Sequence, residues 1–249
     1  MRQSNSYIII FTLITTVFVG GTLAVTSILL GPRQAISIEY DTKSQILGAV
    51  MTVTDDDDVL GIYDKRIVSF VVNSKGEVIE KDEKGQPIVA EKVDVSKNFK
   101  LAPEDRLLPV FKYVNESDPS KVDAYILPTY GNGLWNRVWA FIALDANFET
   151  VKGISFGHIQ ETPGLGARIS DDPVISERYI GKKIYNDKGE LVSVDMVKGE
   201  KGEPLDPHHV DGMSGATMTG NGVNDMLKQY LNSYEAYFEK VKSQNVAGL

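Results

Sequence analysis

The chain contains no cysteine, which excludes several kinds of site at once. Disulfides, thiolate-bound metals and iron–sulfur clusters all require cysteine sulfur, so none of them can form within these 249 residues. Only three histidines occur, without a carboxylate pattern around them, and we predict no metal site. The formal net charge is −8 and basic residues do not cluster, which argues against binding of nucleic-acid phosphate.

The sequence also lacks the signatures of several enzyme classes. There is no Gly-x-Gly-x-x-Gly fingerprint, so we do not expect NADH to bind within this chain. Ser214 lacks the Gly-x-Ser-x-Gly elbow of a catalytic serine. The four consecutive acids Asp55 to Asp58 do not have the spacing of a calcium loop, and we expect a solvated linker there.

Charged side chains are absent from Tyr7 to Leu30, a run of 24 residues. About 20 apolar residues suffice for a helix to cross a bilayer, so the run predicts a membrane span. A cleaved signal peptide is the alternative, but the run exceeds the usual apolar region and lacks a clear cleavage site. We therefore expect residues 1–33 to be a retained anchor. Its flanking charges leave the orientation open, and no acid within the run would hold an ion.

Residues 34–110 are predicted to form a stalk helix, a hairpin and an irregular segment. Apolar residues between Ile36 and Met51 recur at helical spacing. The hairpin joins strands at residues 67–72 and 77–80, with Gly76 available for a turn. The polar, proline-containing stretch that follows is expected to be irregular.

Residues 111–249 are predicted to form an α+β domain with an antiparallel sheet and segregated helices. Turn residues divide its first half into a meander of strands, and an amphipathic helix closes the chain. The predicted elements are strands Val122–Leu127, Arg137–Asp145 and Val151–Ile159, a helix beginning near Asp172, a hairpin of Lys183–Tyr185 with Leu191–Val197, and a helix from Val223 to Val241.

The most informative stretch runs from Asp211 to Gly220 and crowds small residues around Thr217, directly before the closing helix. Small residues let a phosphate approach the backbone, and the start of a helix offers unpaired amides that favour negative charge. The stretch therefore predicts an attachment site for a phosphorylated group. A plain helix cap is the alternative, because Ser-Gly-Ala-Thr alone is a common way to begin a helix.

A second motif, Glu161-Thr162-Pro163-Gly164-Leu165-Gly166, follows the third strand of the meander. Its proline and glycines predict a tight loop with exposed amides, which suits a planar ligand. A simple turn is the alternative. A third stretch, Tyr130 to Trp135, lies between the first two strands.

Together these stretches resemble a known family. Asp211 to Thr217 matches the flavinylation motif Asp-x-x-Ser/Thr-Gly-Ala-Thr, whose last threonine carries FMN through a phosphoester. With the motif at residues 161–166, the chain resembles the FMN-binding domain shared by NqrC, part of the Na⁺-translocating NADH:quinone reductase, and its counterpart in the Rnf complex. The Tyr-Gly-x-Gly-Leu-Trp stretch at 130–135 and the single anchor favour the NqrC family, and the resemblance covers essentially the whole chain.

The resemblance implies roles for particular residues, with Thr217 as the covalent FMN site and Asp211 as a helper during flavin transfer. Thr219 is alternatively an N-cap, Glu161 is alternatively a pin for its loop, and Trp139 is expected to pack in the core. The implied cofactor contacts are Ser214, Gly215, Ala216 and Thr219 at the phosphate, Thr162, Gly164, Leu165, Gly166, Leu134 and Trp135 at the ring, and Glu161 and Lys198 as further neighbours.

The resemblance also implies an electron-carrier subunit of a Na⁺-pumping NADH:ubiquinone oxidoreductase. It places the chain in the bacterial inner membrane with its FMN domain in the periplasm and with the other subunits as partners. A threonine hydroxyl is too weakly acidic to attack a pyrophosphate unaided, so a Mg²⁺-dependent flavin transferase using FAD is implied. Three alternatives remain: an anchored extracytoplasmic module that binds a ligand or partner without covalent flavin, the equivalent subunit of the Rnf complex, and a stand-alone flavin reductase. The last conflicts with the missing nucleotide fingerprint.

Overall fold

The structure is a computed structural model that describes residues 4–82, 84–98, 100–202 and 205–247. The chain forms two compact units, one up to Thr42 and one from Lys43 onward. Helix α1 spans Asn5–Gly48 and continues through Pro32. In the described part of the chain it is the one helix long and apolar enough to cross a membrane. The helix predicted from Ile36 onward is therefore the last part of α1.

The core of the second unit is a six-stranded, wholly antiparallel sheet in the order β2-β1-β3-β4-β5-β6. The predicted meander is confirmed, because its three strands are β4, β5 and β6. The hairpin around Gly76 is also confirmed and joins the same sheet through β1. The strands are β1 Ile67–Val72, β2 Val78–Ile79, β3 Leu108–Val114, β4 Val122–Asn132, β5 Arg137–Leu144 and β6 Val151–His158.

One helix dominates the rest of the unit. Helix α6, Thr217–Ala247, packs along β4 and closes the chain as predicted, although it begins six residues before Val223. Asp172 caps a short helix by accepting a hydrogen bond from the Val174 amide at 3.2 Å, with Pro173 as its first residue. The other helices are α2 Val59–Arg66, α3 Val95–Asn98, α4 Arg168–Asp171 and α5 Pro173–Glu177, with 3-10 turns at Ala90–Lys92 and Pro103–Asp105.

The predicted hairpin of residues 183–185 with 191–197 is confirmed near its turn but is shorter than predicted. Tyr185 and Leu191 form an antiparallel bridge, and the amides of Val192 and Ser193 donate to the Ile184 carbonyl at 2.8 and 3.1 Å. The chain then bends at Ser193, whose φ is +69°, so its second arm cannot continue along the first. Instead a short strand β7, Asp195–Met196, pairs in parallel with β8, His209–Val210.

The sheet separates two hydrophobic clusters, because successive side chains of a strand point to opposite faces. On β4, Tyr125 and Leu127 belong to the first cluster, whereas Ala124 and Ile126 belong to the second. The inner face of α6 packs into the first cluster. The second is covered by the chain around Ile46 and Leu47, by α2 and by the segment near Ala90. The start of α6 lies at the end of the first face, close to the β4–β5 turn.

Candidate functional site

Helix α6 begins at the threonine of the predicted attachment motif. Gly215 has φ +78°, which only glycine adopts without strain, and this turns the chain into the helix. The Ala216 carbonyl accepts the first helical hydrogen bond, from the Gly220 amide at 3.0 Å. Thr217 is therefore the first helical residue, and the amides of this turn have no acceptor within the helix. Such a helix start favours a bound anion.

The two threonines of the first turn have different surroundings. Thr217 is partly exposed, and among the described residues none is hydrogen-bonded to its hydroxyl. Thr219 is fully buried and its hydroxyl donates to Glu161 Oε2 at 2.6 Å. Thr219 lies inside α6, so its interpretation as an N-cap is wrong. Thr217 is the threonine whose side chain is open to chemical modification.

The carboxylate of Glu161 brings the motifs together. Its Oε1 accepts a hydrogen bond from the Trp135 amide at 3.1 Å, while Oε2 accepts the one from Thr219. The Glu161 amide donates to His158 Nδ1 at 3.3 Å, which ties the loop to the end of β6. The β4–β5 turn, the loop after β6 and the start of α6 therefore meet at one buried side chain.

Large apolar side chains lie exposed on these same three segments. Trp135 is 69% exposed and is held in place by a hydrogen bond from its Nε1 to Thr162 Oγ1 at 3.1 Å. Met218, next to Thr217, is 60% exposed. Leu165 of the loop after β6 lies directly against Gly215 of the attachment turn. A Cβ added at Gly215 would be only 2.8 Å from Leu165 Cδ2. With Leu134, these side chains form an apolar surface beside Thr217.

Asp211, the first residue of the motif, is engaged by backbone amides. Its two carboxylate oxygens accept hydrogen bonds from the Lys201 amide at 3.1 Å and the Gly202 amide at 2.7 Å. Arg178 Nη1 donates to the carbonyls of Asp211 at 3.1 Å and Gly212 at 2.7 Å. The carboxylate therefore closes the loop at residues 199–202, and the arginine fixes the backbone that leads to Thr217.

A charged network surrounds this backbone. Glu200 bridges two arginines, with Oε1 2.8 Å from Arg168 Nη2 and 3.0 Å from Arg178 Nη2. Hydrogen bonds from both guanidinium groups lower the pKa of the Glu200 carboxyl to about 2. Arg168 also pairs with Asp172 at 2.8 Å, and this contact lowers the pKa of the aspartate. The network links the short helices after the second motif to the loop before the attachment turn.

Lys198, the predicted cation near the cofactor, is exposed on a segment that runs beside the attachment turn. Backbone hydrogen bonds hold that segment, from Val197 N to Val210 O at 2.9 Å and from Gly212 N to Gly199 O at 2.8 Å. Asn224 adds two more, pairing its side chain with the amide and carbonyl of Met196 at 2.7 and 3.0 Å. The backbone at Lys198 is thus held close to the stretch that leads to Thr217.

The other residues considered in the sequence analysis make structural contacts. Trp139 lies against the second cluster and donates from Nε1 to Gln45 Oε1 at 2.7 Å, consistent with its expected core role. His208 and His209 bond to the Lys183 carbonyl and to Asp206. In the described residues there is no group of His, Cys, Asp or Glu that could hold a metal ion.

Comparison with known proteins gives the family. The FMN-binding domain family matches residues 133–232, which include every segment of this site. NqrC of the Na⁺-translocating NADH-quinone reductase from Pseudomonas aeruginosa is 31% identical over 250 residues, covering 92% of each chain. The chain belongs to the NqrC family. The homologous protein from Yersinia pestis is 39% identical over 132 residues, an alignment that spans 52% of this chain and 48% of that protein.

The fold agrees with the family. A crystal structure of NqrC from Parabacteroides distasonis superposes with a TM-score of 0.68 at 35% identity, covering 80% of this chain and 92% of that one. The resemblance drawn from the two motifs is therefore confirmed, as is the α+β fold with its antiparallel sheet behind an apolar N-terminal helix.

The sequence did not point to three residues that shape the site. Arg178 is 33 residues from the backbone it holds, and a lone arginine carries no motif. Met218 stands between Thr217 and Thr219 in the sequence and belongs to no recognised motif position. Gly222 approaches the end of β4 so closely that an added Cβ would lie 2.0 Å from the Asn132 carbonyl oxygen. Only Gly222 had a detectable signal, since glycine within a helix indicates close packing.

Proposed function

We propose that this chain is a membrane-anchored electron-carrier subunit of a Na⁺-translocating NADH-quinone reductase, with FMN esterified to Thr217. The observation that carries the proposal is the accessible Thr217 hydroxyl at the start of α6, inside the FMN-binding family match and without a protein partner among the described residues. FMN, when bound, supplies a redox group that accepts and donates electrons.

The residues present suit the two ends of FMN. The helix start and the small residues Ser214, Gly215 and Ala216 offer amides and space to a phosphate. The exposed side chains of Leu134, Trp135, Leu165 and Met218 offer an apolar surface to a flat ring. Glu161 and Asp211 are engaged by protein donors, so we assign them to holding the loops, and Lys198 supplies positive charge nearby.

Attachment requires a separate transferase. The Thr217 oxygen forms the new bond to phosphorus, the pyrophosphate bond of FAD breaks, and AMP leaves. In the described residues no base is hydrogen-bonded to Thr217 to take its proton, so we assign that role to a Mg²⁺-dependent flavin transferase.

The N-terminal helix supports the membrane part of the proposal. The apolar side chains of residues 7–30 are exposed to the surroundings, as they would be to lipid. We infer a single-pass anchor in the bacterial inner membrane with the flavin domain, residues 111–249, on the periplasmic side. The other subunits of the reductase are the proposed partners. This chain passes electrons between them and does not itself bind NADH.

Intact-mass measurement of the full chain, made with and without a co-expressed flavin transferase, tests the proposal. Esterified FMN adds roughly 438 Da, the mass of FMN less one water. We expect that addition only with the transferase, and its loss in Thr217→Val. Thr150→Val is the matched control, because Thr150 is a partly exposed threonine directly before β6 and outside the segments of the site, and this variant should keep the addition. A wild-type chain that stays unmodified beside an active transferase favours the alternative of a binding module without covalent flavin.

A further inference from the structure

A buried carboxylate lies where the three segments of the site meet. Glu161 is 5% exposed, and its two oxygens accept hydrogen bonds from the Trp135 amide and the Thr219 hydroxyl. Among the described residues no cation forms an ion pair with it. Glutamate is rarely buried without a charged partner, because the loss of hydration is costly. An apolar side chain would fill this space at lower cost, so packing alone does not account for it.

We propose that Glu161 is a positioning residue that fixes the start of α6 against the apolar surface, and thereby sets how fast Thr217 accepts flavin. This inference rests on the proposed function. The O–H···O⁻ bond of 2.6 Å from Thr219 is of the short, charge-assisted kind. Thr219 is in the first turn of α6 with Thr217, so the bond holds the turn that carries the attachment oxygen.

Two glycines make room for this carboxylate. A Cβ added at Gly133 would lie 2.4 Å from Oε1, and one added at Gly166 would lie 2.4 Å from Oε2 and 2.6 Å from the Thr219 hydroxyl oxygen. Any other residue at either position would displace the carboxylate. The β4–β5 turn and the loop after β6 are therefore shaped around the Glu161 side chain, and all three segments depend on it for their relative placement.

The bond to Trp135 extends the effect to the surface beside Thr217. Oε1 holds the backbone of Trp135, and the neighbouring Thr162 holds its ring nitrogen. Glu161 and Thr162 thus fix both ends of this tryptophan. Loss of the carboxylate frees the tryptophan backbone and the first turn of α6 together, and misplacement of a reacting oxygen by about 1 Å is enough to slow a reaction by about 100-fold.

Three variants separate position from charge. Glu161→Gln keeps both contacts, because its amide oxygen can accept from the Trp135 amide and its NH₂ can donate to the Thr219 oxygen. Glu161→Ala removes both contacts. Thr219→Val removes one donor at nearly constant volume. A role in positioning predicts that Glu161→Gln preserves flavin attachment, whereas Glu161→Ala and Thr219→Val both impair it.

The experiment measures the rate at which purified full-length apoprotein in detergent incorporates flavin from FAD in the presence of purified transferase and Mg²⁺. We expect Glu161→Ala and Thr219→Val to slow incorporation about tenfold or more, and Glu161→Gln to slow it by less than about threefold. Leu47→Ala is the control for lost stability, because Leu47 is buried in the second cluster. Measured below its unfolding transition, it should incorporate flavin at the wild-type rate.

The outcomes are distinguishable. Incorporation at the wild-type rate in Thr219→Val and Glu161→Ala overturns the inference about Glu161 and leaves the flavin site intact. A rate in Glu161→Gln as low as in Glu161→Ala also overturns it, because charge and not position would then be required. If Glu161→Ala does not fold, Thr219→Val decides the matter. A wild-type chain that accepts no flavin overturns the proposed function and this inference together.

Discussion

The two faces of the sheet are covered by different parts of the chain. The first face is covered by α6, which contributes a row of buried side chains from Val223 to Phe238 and carries Thr217 at its start. The second face is covered by short pieces, including the chain around Leu47 and helix α2. All segments of the candidate site lie at one end of the first face. Changes on the second face should therefore affect stability without affecting the site.

The two tryptophans show the same division within one hairpin. Trp135, in the β4–β5 turn, is exposed beside the site, whereas Trp139, four residues later on β5, faces the second cluster and bonds to Gln45. Gly157 on β6 makes room for it, since an added Cβ would lie 2.3 Å from the Trp139 ring. Alternation along a strand would put residues 135 and 139 on the same face, so the position of Trp135 in the turn before β5 is what separates the two rings.

The largest expected effect comes from Leu47→Ala in the second cluster. Leu47 is fully buried, so its truncation removes apolar contacts and leaves a cavity, and we expect a loss of about 2–5 kcal/mol in the free energy of unfolding. Urea unfolding measures the loss. The flavin content of the folded variant should equal that of the wild-type chain. A folded Leu47→Ala variant without flavin would show that the second face also affects the site.

A smaller effect is expected from glycine substitutions that clash with backbone on each face. Gly222→Ala places a Cβ 2.0 Å from Asn132 O and pushes α6 from β4, while Gly153→Ala places one 2.4 Å from Ala49 O on the second face. Each should cost about 1–3 kcal/mol in thermal unfolding experiments. Only Gly222→Ala should also slow flavin incorporation, because it moves the helix that carries Thr217. Equal incorporation in the two variants would contradict this.

The sequence patterns correctly predicted those elements of the fold that depend on residues close together in the chain. The meander, the hairpin around Gly76 and the closing helix follow from alternation, turn glycines and helical spacing. Strand β3, Leu108–Val114, was not predicted, although Asn115, Asp118 and Pro119 mark the turn that follows it. Its pairing with β1 joins segments about 40 residues apart, which no local pattern shows. The hairpin at residues 183–197 is shorter than predicted because Ser193 takes a positive φ, which nothing in the local sequence indicates.

The candidate site likewise has parts that the sequence predicted and parts that it did not. The attachment motif and the loop motif are contiguous in sequence, and the structure brings them together as the resemblance implied. The bond between Thr219 and Glu161 spans 58 residues, and the contact of Arg178 with Asp211 spans 33. Such contacts depend on the register of the finished sheet, so no local signal in a single sequence reveals them. Glu161 was identified as a pin for its loop, but its partners were not.

An intermediate effect is expected from the pair Trp139→Phe and Trp135→Phe. The first removes the donor to Gln45 Oε1 in a partly buried position, so we expect a loss of about 1 kcal/mol in the free energy of unfolding. The second removes a donor at an exposed position and should change stability by less than about 0.5 kcal/mol. Flavin fluorescence of the loaded protein should respond only to the Trp135 change. A change of flavin fluorescence in Trp139→Phe instead would mean that the flavin ring lies at the second face of the sheet, which contradicts the proposed site.

The smallest expected effect concerns pH and the Glu200 network on the site side. Arg168 and Arg178 lower the pKa of Glu200 to about 2 in the folded chain, below its ordinary value of 4.5. The stabilisation is therefore fully present above about pH 4.5 and is lost as the pH falls toward about 2. Because the carboxylate is partly exposed, with 28% of its side-chain surface accessible, we expect Glu200→Gln to cost only about 0.5 kcal/mol near neutral pH.

The test is urea unfolding of the wild-type chain and Glu200→Gln at about pH 7, 4 and 3. The difference between their free energies of unfolding should shrink steadily as the pH falls, because protonation removes from the wild-type chain the charge that the variant already lacks. Glu177→Gln is the matched control, since Glu177 is exposed and forms no ion pair among the described residues. A difference that stays constant with pH would mean that the two arginines hold the loop before Thr217 without help from the Glu200 charge.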